Sequence, residues 1–478
     1  MPAYADYEMV IGLEVHVELK TKTKIFCSCP TTFGAAPNTH VCPVCMGLPG
    51  SLPVLNRKVV EYAVKAGMAT GCTIARYSKQ DRKNYFYPDL PKAYQISQYD
   101  LPLCEHGHLD IETEAGSKRI GITRIHIEED AGKLVHGESG TFIDCNRCGV
   151  PLIEIVSEPD IRSAEEAVAY LQKLRATILY TGVSDCRMQE GSLRCDVNLS
   201  VHKPGTPFGT RTEMKNLNSF QYVQKAIEFE FRRQVEAVEN GEEIVQETRR
   251  FDEKSGKTFS MRRKEDANDY RYFPDPDLAP IELSEEKLTS LEAEIPALPD
   301  ARKAKYMEEY HLTAYDAEML TETPETADYF ESAAAATAYP KQAASLILTE
   351  VFRLLALEGE DTRTFKVSPE HLAKLVTLTA DGKINSSTEK KILSDLWKSG
   401  DTDPESYIKA HDLFQLSDRA ALAALVDAAI AANPKSIADF KKGKTNALKS
   451  IVGQVMGKTG GRANPVIVQE IIDERVKD

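Results

Sequence analysis

The sequence predicts an α+β protein, with a strand-rich first part and a helical second part. Before about residue 290, short runs alternate apolar and polar residues and are broken by Gly and Pro, as strands with interspersed helices do. After it, apolar residues recur at helical spacing. Between the two, "EIPALPDARKA" (294–304) reads as a linker. A chain of 478 residues is long enough for two or three domains. The expected boundaries are 1–293, 294–405 and 406–478, the second falling within "KSGDTDPESY" (398–407).

The first element, "GLEVHVEL", points Leu13, Val15, Val17 and Leu19 one way and Glu14, His16 and Glu18 the other. Next comes "CSCPTTFGAAPNTHVCPVCMG" (27–47), where Cys27, Cys29, Cys42 and Cys45 form two close pairs separated by twelve residues. That is zinc-site spacing. Four thiolates close a tetrahedron and leave no position for substrate, so the cluster predicts a structural staple on the loop after the first strand. Pro43 and Gly47 suit its turns. The alternative is four separate buried thiols.

Two aromatic loops, "DRKNYFYPDLPKAYQISQ" (81–98) and "NDYRYFPDPDLAP" (268–280), combine Arg, Tyr, Phe, Pro and Asp in stiff, non-helical runs. Arg82, Lys83, Tyr85 and Lys92 beside rings suit stacking of an adenine or an unpaired RNA end. An ordinary Pro-rich structural loop is the alternative. In "CEHGHLD", Cys104, His106 and His108 flank Gly107, which reads as a hairpin turn and not a metal site.

Further strands follow. "TRIHIEEDAGK" sets Ile125 and Ile127 against Arg124, His126 and Glu128, then adds Glu129 and Asp130. "DCNRCGVPL" carries Cys145 and Cys148 without obvious partners, which predicts packing, as for the core thiols Cys72, Cys186 and Cys195. "PLIEIV" places Glu154 between isoleucines. "SLRCDVNLSV" alternates Leu193, Cys195, Val197, Leu199 and Val201 with Arg194, Asp196, Asn198 and Ser200, and "TRTEMKN" offers Arg211, Glu213 and Lys215. In the helical part, Ser368 is a cap with Pro369 at the first helical position. Ser417 caps a helix with Leu422, Leu425, Val426, Ala429 and Ile430 on one face.

Any solvated sheet face alternates in this way. Lysine is common on such faces, however, and here Glu, Asp, His and Arg dominate. Hard oxygen ligands with an imidazole suit Mg²⁺ or Mn²⁺, and neighbouring arginines suit nucleotide phosphates. Crowded carboxylates repel one another unless a cation sits among them. The sharper expectation is therefore a Mg²⁺–nucleotide cradle.

A net charge of −14 excludes a surface coated for nucleic-acid binding, but not a local patch. One patch qualifies. Lys441, Lys442, Lys444, Lys449, Lys458 and Arg462 lie in a stretch without an acidic residue. "GKTGGR" (457–462) is not a phosphate-binding loop, because Val452 stands where that motif needs Gly. There is no G-x-S-x-G elbow and no Gly/Ser-rich amidase stretch, so the chain is not expected to release ammonia from glutamine. No apolar run approaches the ~18 residues of a membrane span, and the N-terminus lacks a signal-peptide pattern. Ten cysteines then read as thiols and metal ligands of a cytoplasmic protein without membrane attachment.

"IGLEVHVEL", "DRKNYFYPDLPKAYQISQ", "IHIEEDAGKL", "GVPLIEIVSEPDIRS", "EGSLRCDVNLSV", "EMKNLNSF" and "DYRYFPDPDLAP" resemble the B-subunit family of aspartyl/glutamyl-tRNA(Asn/Gln) amidotransferases. The resemblance runs from about residue 7 to the helical tail "GKTNALKSIVGQVMGKTGGRANPVIVQEII". It implies a glutamine-synthetase-like antiparallel-sheet cradle domain, an all-α domain and a small helical tRNA-binding tail. It also implies a heterotrimer, in which an amidase (the A subunit) supplies ammonia and a small C subunit is the third member. The implied reaction uses ATP and Mg²⁺ to phosphorylate the side-chain carboxylate of Glu-tRNA(Gln) or Asp-tRNA(Asn), and ammonia then displaces phosphate.

On the matching motifs, the resemblance assigns catalysis to Glu14, His16, Glu128, Glu129, Glu154 and Glu190, with Mg²⁺ on Glu14, His16, Glu129, Glu154, Glu190 and Glu213. Arg82, Lys83, Arg194, Asp196 and Glu213 are the nucleotide candidates, and the six basic residues of the tail are the tRNA candidates. The four-cysteine cluster varies within the family, so zinc rests on spacing, and Cys145 and Cys148 depart from the family pattern. Two other classes compete. A zinc-stabilised RNA-binding protein leaves the carboxylates without purpose, and a ligase for a small free acid leaves the long helical tail without one.

Overall fold

The computed structural model describes residues 4–263, 270–359, 364–441 and 445–477. The chain forms two compact units, Met1–Leu298 and Pro299–Asp478. The first is mixed α+β and the second is helical.

The first unit is built on a nine-stranded sheet. Its strands are β1 (Glu8–Glu18), β2 (Thr73–Ile74), β3 (Cys104–Thr113), β4 (Gly116–Glu129), β5 (Pro151–Ser157), β6 (Leu193–His202), β7 (Thr212–Lys215), β8 (Glu247–Asp252) and β9 (Lys257–Arg263). The spatial order is β9-β8-β7-β6-β1-β5-β4-β3-β2. Every pair is antiparallel except β7–β8. The alternation in β1 does what the sequence expects. Leu13, Val15 and Val17 are buried in one core with Tyr170, Leu174, Ile178, Val223 and Ile227.

Those partners come from helices α2 (Ala164–Thr181) and α3 (Phe220–Glu239), and α1 (Arg57–Ala69) adds Val59, Val60, Ala63 and Val64. Side-chain caps fix the three starts: Asn56 accepts from the Lys58 amide, Ser163 from Glu166 and Ser219 from Tyr222. With its apolar face committed to this core, the sheet turns its other face, with Glu14, His16 and Glu18, outward.

The aromatic loops do not stay loops. Asp81–Asn84 pairs with Tyr94–Ser97 on one side and Phe273–Pro274 on the other, forming a three-stranded sheet. Neither stretch carries this signal alone, because each finds its backbone partners in the other. Gly107 is not a hairpin turn. It lies inside β3, paired with Ile122 in the same register as Glu105 with Arg124, beside His106, whose φ is +56°. A Cβ on Gly107 would fall 2.4 Å from Cys72 Sγ and 2.8 Å from the Thr70 carbonyl, so close approach of the backbone requires glycine. Cys186 and Cys195 are core thiols, while Cys72 is only partly buried.

In the second unit, helix Pro299–Glu309 begins inside the stretch read as a linker. One core gathers residues from Tyr306 to Ile408 and another from Leu422 to Val476. Pro369 is the first helical residue, but Ser368 makes no capping side-chain bond. The helix Arg419–Ala432 is capped by Asp418, one residue beyond Ser417, because the Asp carboxylate reaches the Ala420 amide. No helix among the described residues is long and apolar enough to cross a membrane.

Candidate active site

The outward face of the sheet is assembled by register. His16 lies opposite Glu154 on β5 and Arg194 on β6, and Glu154 lies opposite His126 on β4. One step along β1, Glu14 faces Asp196, and Asn198 faces Glu213 across β6 and β7. Directly opposed residues sit close enough for their side chains to meet. The result is two adjacent clusters, His16–Glu128–Glu154 and Glu14–Asp196–Glu213. In each, one ligand atom per residue lies within 4.8 Å of the others.

In the first cluster, His16 Nε2 is 3.4 Å from Glu128 Oε1 and 3.5 Å from Glu154 Oε2, and His126 Nε2 is 3.4 Å from the same Glu154 oxygen. Burial opposes protonation of His16, yet the bonds and charges of Glu128 and Glu154 raise its pKa to about 10. Both carboxyls are in turn held below their usual range: burial works against them, and the two imidazoles outweigh it. Glu128 Oε2 is buried without a hydrogen-bond partner among the described residues. An orphaned carboxylate oxygen beside an imidazole and a second carboxylate fits a hard divalent cation, which takes the place of the imidazolium protons. In the second cluster, burial and the charges of Glu154, Asp196 and Glu213 push the Glu14 pKa up against its bond from Asn198 (2.9 Å). A cation relieves that repulsion as well.

Two lysines line the same face. Lys215 bonds Asp196 and lies 3.1 Å from Glu213 Oε1. Lys83 lies 4.9 Å from the centre of the Tyr270 ring. Burial opposes the charge on both, and the surrounding carboxylates more than restore it.

Three cavities run in series along β1. One of about 360 Å³ has a mostly apolar lining that includes Val10, Gly12, Val156 and Phe208. It shares Glu14, Asn198 and Arg211 with a cavity of about 420 Å³, walled by Tyr99, Tyr270 and Tyr272 over the two clusters. That cavity shares His16, Lys83, Asp196 and Lys215 with one of about 740 Å³ that continues to Glu18, Arg194 and Asn218. Tyr99 and Tyr272 are stacked, 4.4 Å apart and 6° from parallel.

The structure therefore brings together Glu14, His16, Glu128, Glu154, Asp196, Glu213 and Lys83. It does not bring Glu129. As the next residue after Glu128 on a strand, Glu129 emerges on the other side of the sheet, bonded to Lys92 and to the Ile96 amide at 2.8 Å. Glu190 stands on the turn before β6, bonded to Arg187; it lines the largest cavity and joins neither cluster. Arg82 lines none of the three cavities. Its guanidinium is 2.7 Å from Asp275 and 2.9 Å from Asp277 and packs over the Tyr94 ring at 4.3 Å, which ties the two aromatic segments together. Arg194 lines the largest cavity and pairs with Asp130 at 2.5 Å.

Sequence reasoning does not single out His126, Asn198 or Lys215 as site residues, although all three stand in the alternating strands it uses. Tyr272 belongs to an aromatic stretch singled out above, but its stacking on Tyr99, which lies outside both stretches, is tertiary and has no local signal.

Cys27, Cys29, Cys42 and Cys45 converge as the spacing expects. The Cys42 amide donates to Cys45 Sγ at 3.2 Å, and the two sulfurs are 3.9 Å apart. A bond from Cys27, aided by the charge of Lys24, lowers the Cys45 pKa to about 4. Soft thiolates at this spacing fit zinc. Of the basic residues in the tail, Lys449 and Lys458 are exposed. Arg462 is engaged instead, donating to the Asp412 carbonyl at 2.7 Å and its carboxylate at 2.5 Å. Lys442, Lys444 and the side chain of Lys441 lie outside the described residues.

The family models "GatB/GatE catalytic domain" and "GatB domain" match residues 9–289 and 328–476. The B subunit of the aspartyl/glutamyl-tRNA(Asn/Gln) amidotransferase of Caldicellulosiruptor saccharolyticus is 56% identical over 478 residues, covering 99% of both chains. Its namesake in Carboxydothermus hydrogenoformans is 55% identical over 477 residues, covering 98% of this chain and 99% of its own. That of Geobacter sulfurreducens is 53% identical over 478 residues, covering 99% and 100%. Matched through both of its units, the chain belongs to the B-subunit family of aspartyl/glutamyl-tRNA(Asn/Gln) amidotransferases.

Proposed function

We propose that this chain is the carboxylate-activating member of a tRNA-dependent amidotransferase. It converts Glu-tRNA(Gln), Asp-tRNA(Asn) or both into the amidated forms, using ATP, Mg²⁺ and ammonia from a partner amidase. The observation that carries this is the pair of metal-competent clusters built across neighbouring strands around His16 and Glu14 of β1, beside one groove. An isolated carboxylate is a poor electrophile, and converting it to an acyl phosphate supplies a leaving group for ammonia. His16–Glu128–Glu154 and Glu14–Asp196–Glu213 are the groups that would hold divalent cations, which when bound would supply neutralisation of the charge between the phosphates and the attacking carboxylate.

The chain's own groups divide the remaining work. Lys83, Lys215, Arg124 and Arg211 line the central cavity and draw phosphate oxygens toward the clusters. The apolar cavity, floored by Gly12 and flanked by Phe208, seats the nucleobase. The largest cavity accepts the aminoacylated end of the tRNA, with Arg194 and Glu190 at its wall. Residues 1–293 then act as the glutamine-synthetase-like cradle, stapled by structural zinc on the four cysteines. The helical domain 294–405 and the tail 406–478 reach toward the tRNA. The amidase and a small third protein, the A and C subunits, complete a cytoplasmic heterotrimer.

The test is ATP hydrolysis by the chain co-purified with its partners in Mg²⁺, with and without misacylated Glu-tRNA(Gln). Turnover that requires the charged tRNA and disappears in Glu14→Gln is the expected result. Turnover indifferent to either overturns the proposal.

A further inference from the structure

Lys24 has no exposed surface, yet among the described residues no carboxylate pairs with it. Its Nζ donates to the His40 carbonyl at 2.8 Å, to the Cys145 carbonyl at 3.2 Å and to Cys45 Sγ at 3.6 Å. An ammonium has three donors, so all are used. Two neutral carbonyls do not balance a full positive charge, and burying an unbalanced charge is costly. Of the three acceptors, only the Cys45 sulfur can carry negative charge. It belongs to the four-cysteine cluster, where four thiolates around a divalent zinc leave a net charge of two minus. A cation beside it offsets that charge, and Lys24 Nζ stands 3.6 Å from the Cys45 sulfur.

The same ammonium joins two loops that the sequence shows as unrelated. The knuckle loop is stitched to the turn carrying Cys145 and Cys148: Asn38 Oδ1 accepts from the Cys145 amide at 2.7 Å, and Asn146 Oδ1 from the His40 amide at 2.8 Å. The Ile25 amide bonds the Gly149 carbonyl at 2.9 Å, and the Asp130 amide bonds the Val150 carbonyl at 2.8 Å. Beyond that turn begins β5, which carries Glu154.

We infer that Lys24 is the positioning residue of the four-cysteine metal centre: it hydrogen-bonds the Cys45 thiolate, offsets the excess negative charge of the zinc tetrathiolate, and transmits metal occupancy to the 145–149 turn. The inference rests on zinc being bound by these cysteines. It gives Cys145 a role through its backbone carbonyl, which its thiol does not need to share.

The test uses the full-length chain with zinc or substituted cobalt. In Lys24→Met, which keeps the stem and removes the charge, the tetrahedral cobalt–thiolate spectrum is retained. Its charge-transfer bands move to lower energy, because an unbonded thiolate is more easily oxidised. Zinc is lost to a chelator roughly ten- to a hundredfold faster than from the wild type, the usual scale for an outer-shell partner. Unchanged bands and unchanged release overturn the inference. If the variant does not fold, amide exchange on the wild-type chain decides. Removing zinc must speed exchange across 145–150, and equal exchange with and without zinc overturns the role. A wild-type chain that binds neither zinc nor cobalt overturns the four-cysteine reading and this one together. Normal metal binding with a silent Lys24→Met overturns this one alone.

Discussion

Glu128 and Glu129 are consecutive, and their carboxylates lie on opposite faces of one sheet, the first 3.4 Å from His16 Nε2 and 3.8 Å from His126 Nε2, the second bonded by Lys92. A glutamate doublet at the end of a strand therefore reaches two separate environments.

Glutamine substitutions separate the two. Glu128→Gln lowers Mg²⁺-dependent ATP turnover by about a hundredfold or more, since metal-mediated stabilisation is worth several kcal/mol. Glu129→Gln leaves the Mg²⁺ dependence of turnover in place but strands the nearly buried Lys92, lowering stability by about 3 kcal/mol in chemical denaturation. Equal effects on metal dependence would refute the division.

Arg82 pairs with Asp275 and Asp277, and substituting it is expected to act through the aromatic segments more than through phosphate. Its coupling to Asp275, measured by a double-mutant cycle with Arg82→Gln and Asp275→Asn, is expected at about 1–3 kcal/mol of stability. A coupling near zero, with a large change in nucleotide affinity for Arg82→Gln alone, would return Arg82 to the phosphate site.

In the tail, Lys449→Glu and Lys458→Glu weaken tRNA binding and each reduces its salt slope by about one. Arg462→Ala mainly lowers the melting temperature, because it unties Asp412. Filter binding over a salt series and thermal melting distinguish the two effects.

Glu389, in helix Ser386–Ser399, is buried, and burial raises its pKa to about 6 against a bond from Thr379 and the charge of Lys390. The folded state thus holds this proton more tightly than the unfolded chain does. The contribution is fully present below about pH 4.5 and lost as pH rises through 6. Glu389→Gln is expected to remove that slope and to gain about 2 kcal/mol at pH 7. Trp397, the single tryptophan, lies in the same helix and reports its unfolding by fluorescence.

The legible part of the site is the part governed by a period of two. Glu14, His16, Asp196 and Glu213 share one face, as alternation requires, because each stands between residues that must be buried. Alternation alone also rules that Glu128 and Glu129 cannot share a face, but the doublet falls at the last two positions of β4, where a strand end is invisible in sequence. The pairing of Arg82 is illegible for another reason: Asp275 and Asp277 lie almost two hundred positions away, and no local pattern announces them. Ser417 loses the cap to Asp418 by one residue, the ordinary uncertainty of a helix end. Gly107 reads as a turn because the approach of Cys72 that demands it is a contact between separate elements.

All three cavities open on β1, so this strand is a measuring rod. Side chains that share a face recur about every 7 Å along it, and the spacing between the three cavities is set by covalent geometry. Substitution can retune any one station. A single inserted residue upstream of Glu14 cannot, because it turns Glu14, His16 and Glu18 inward together and presents leucine and valine to the groove. Change in this family is therefore expected to proceed through replacement along β1, while gains and losses of length collect in the loops that flank it.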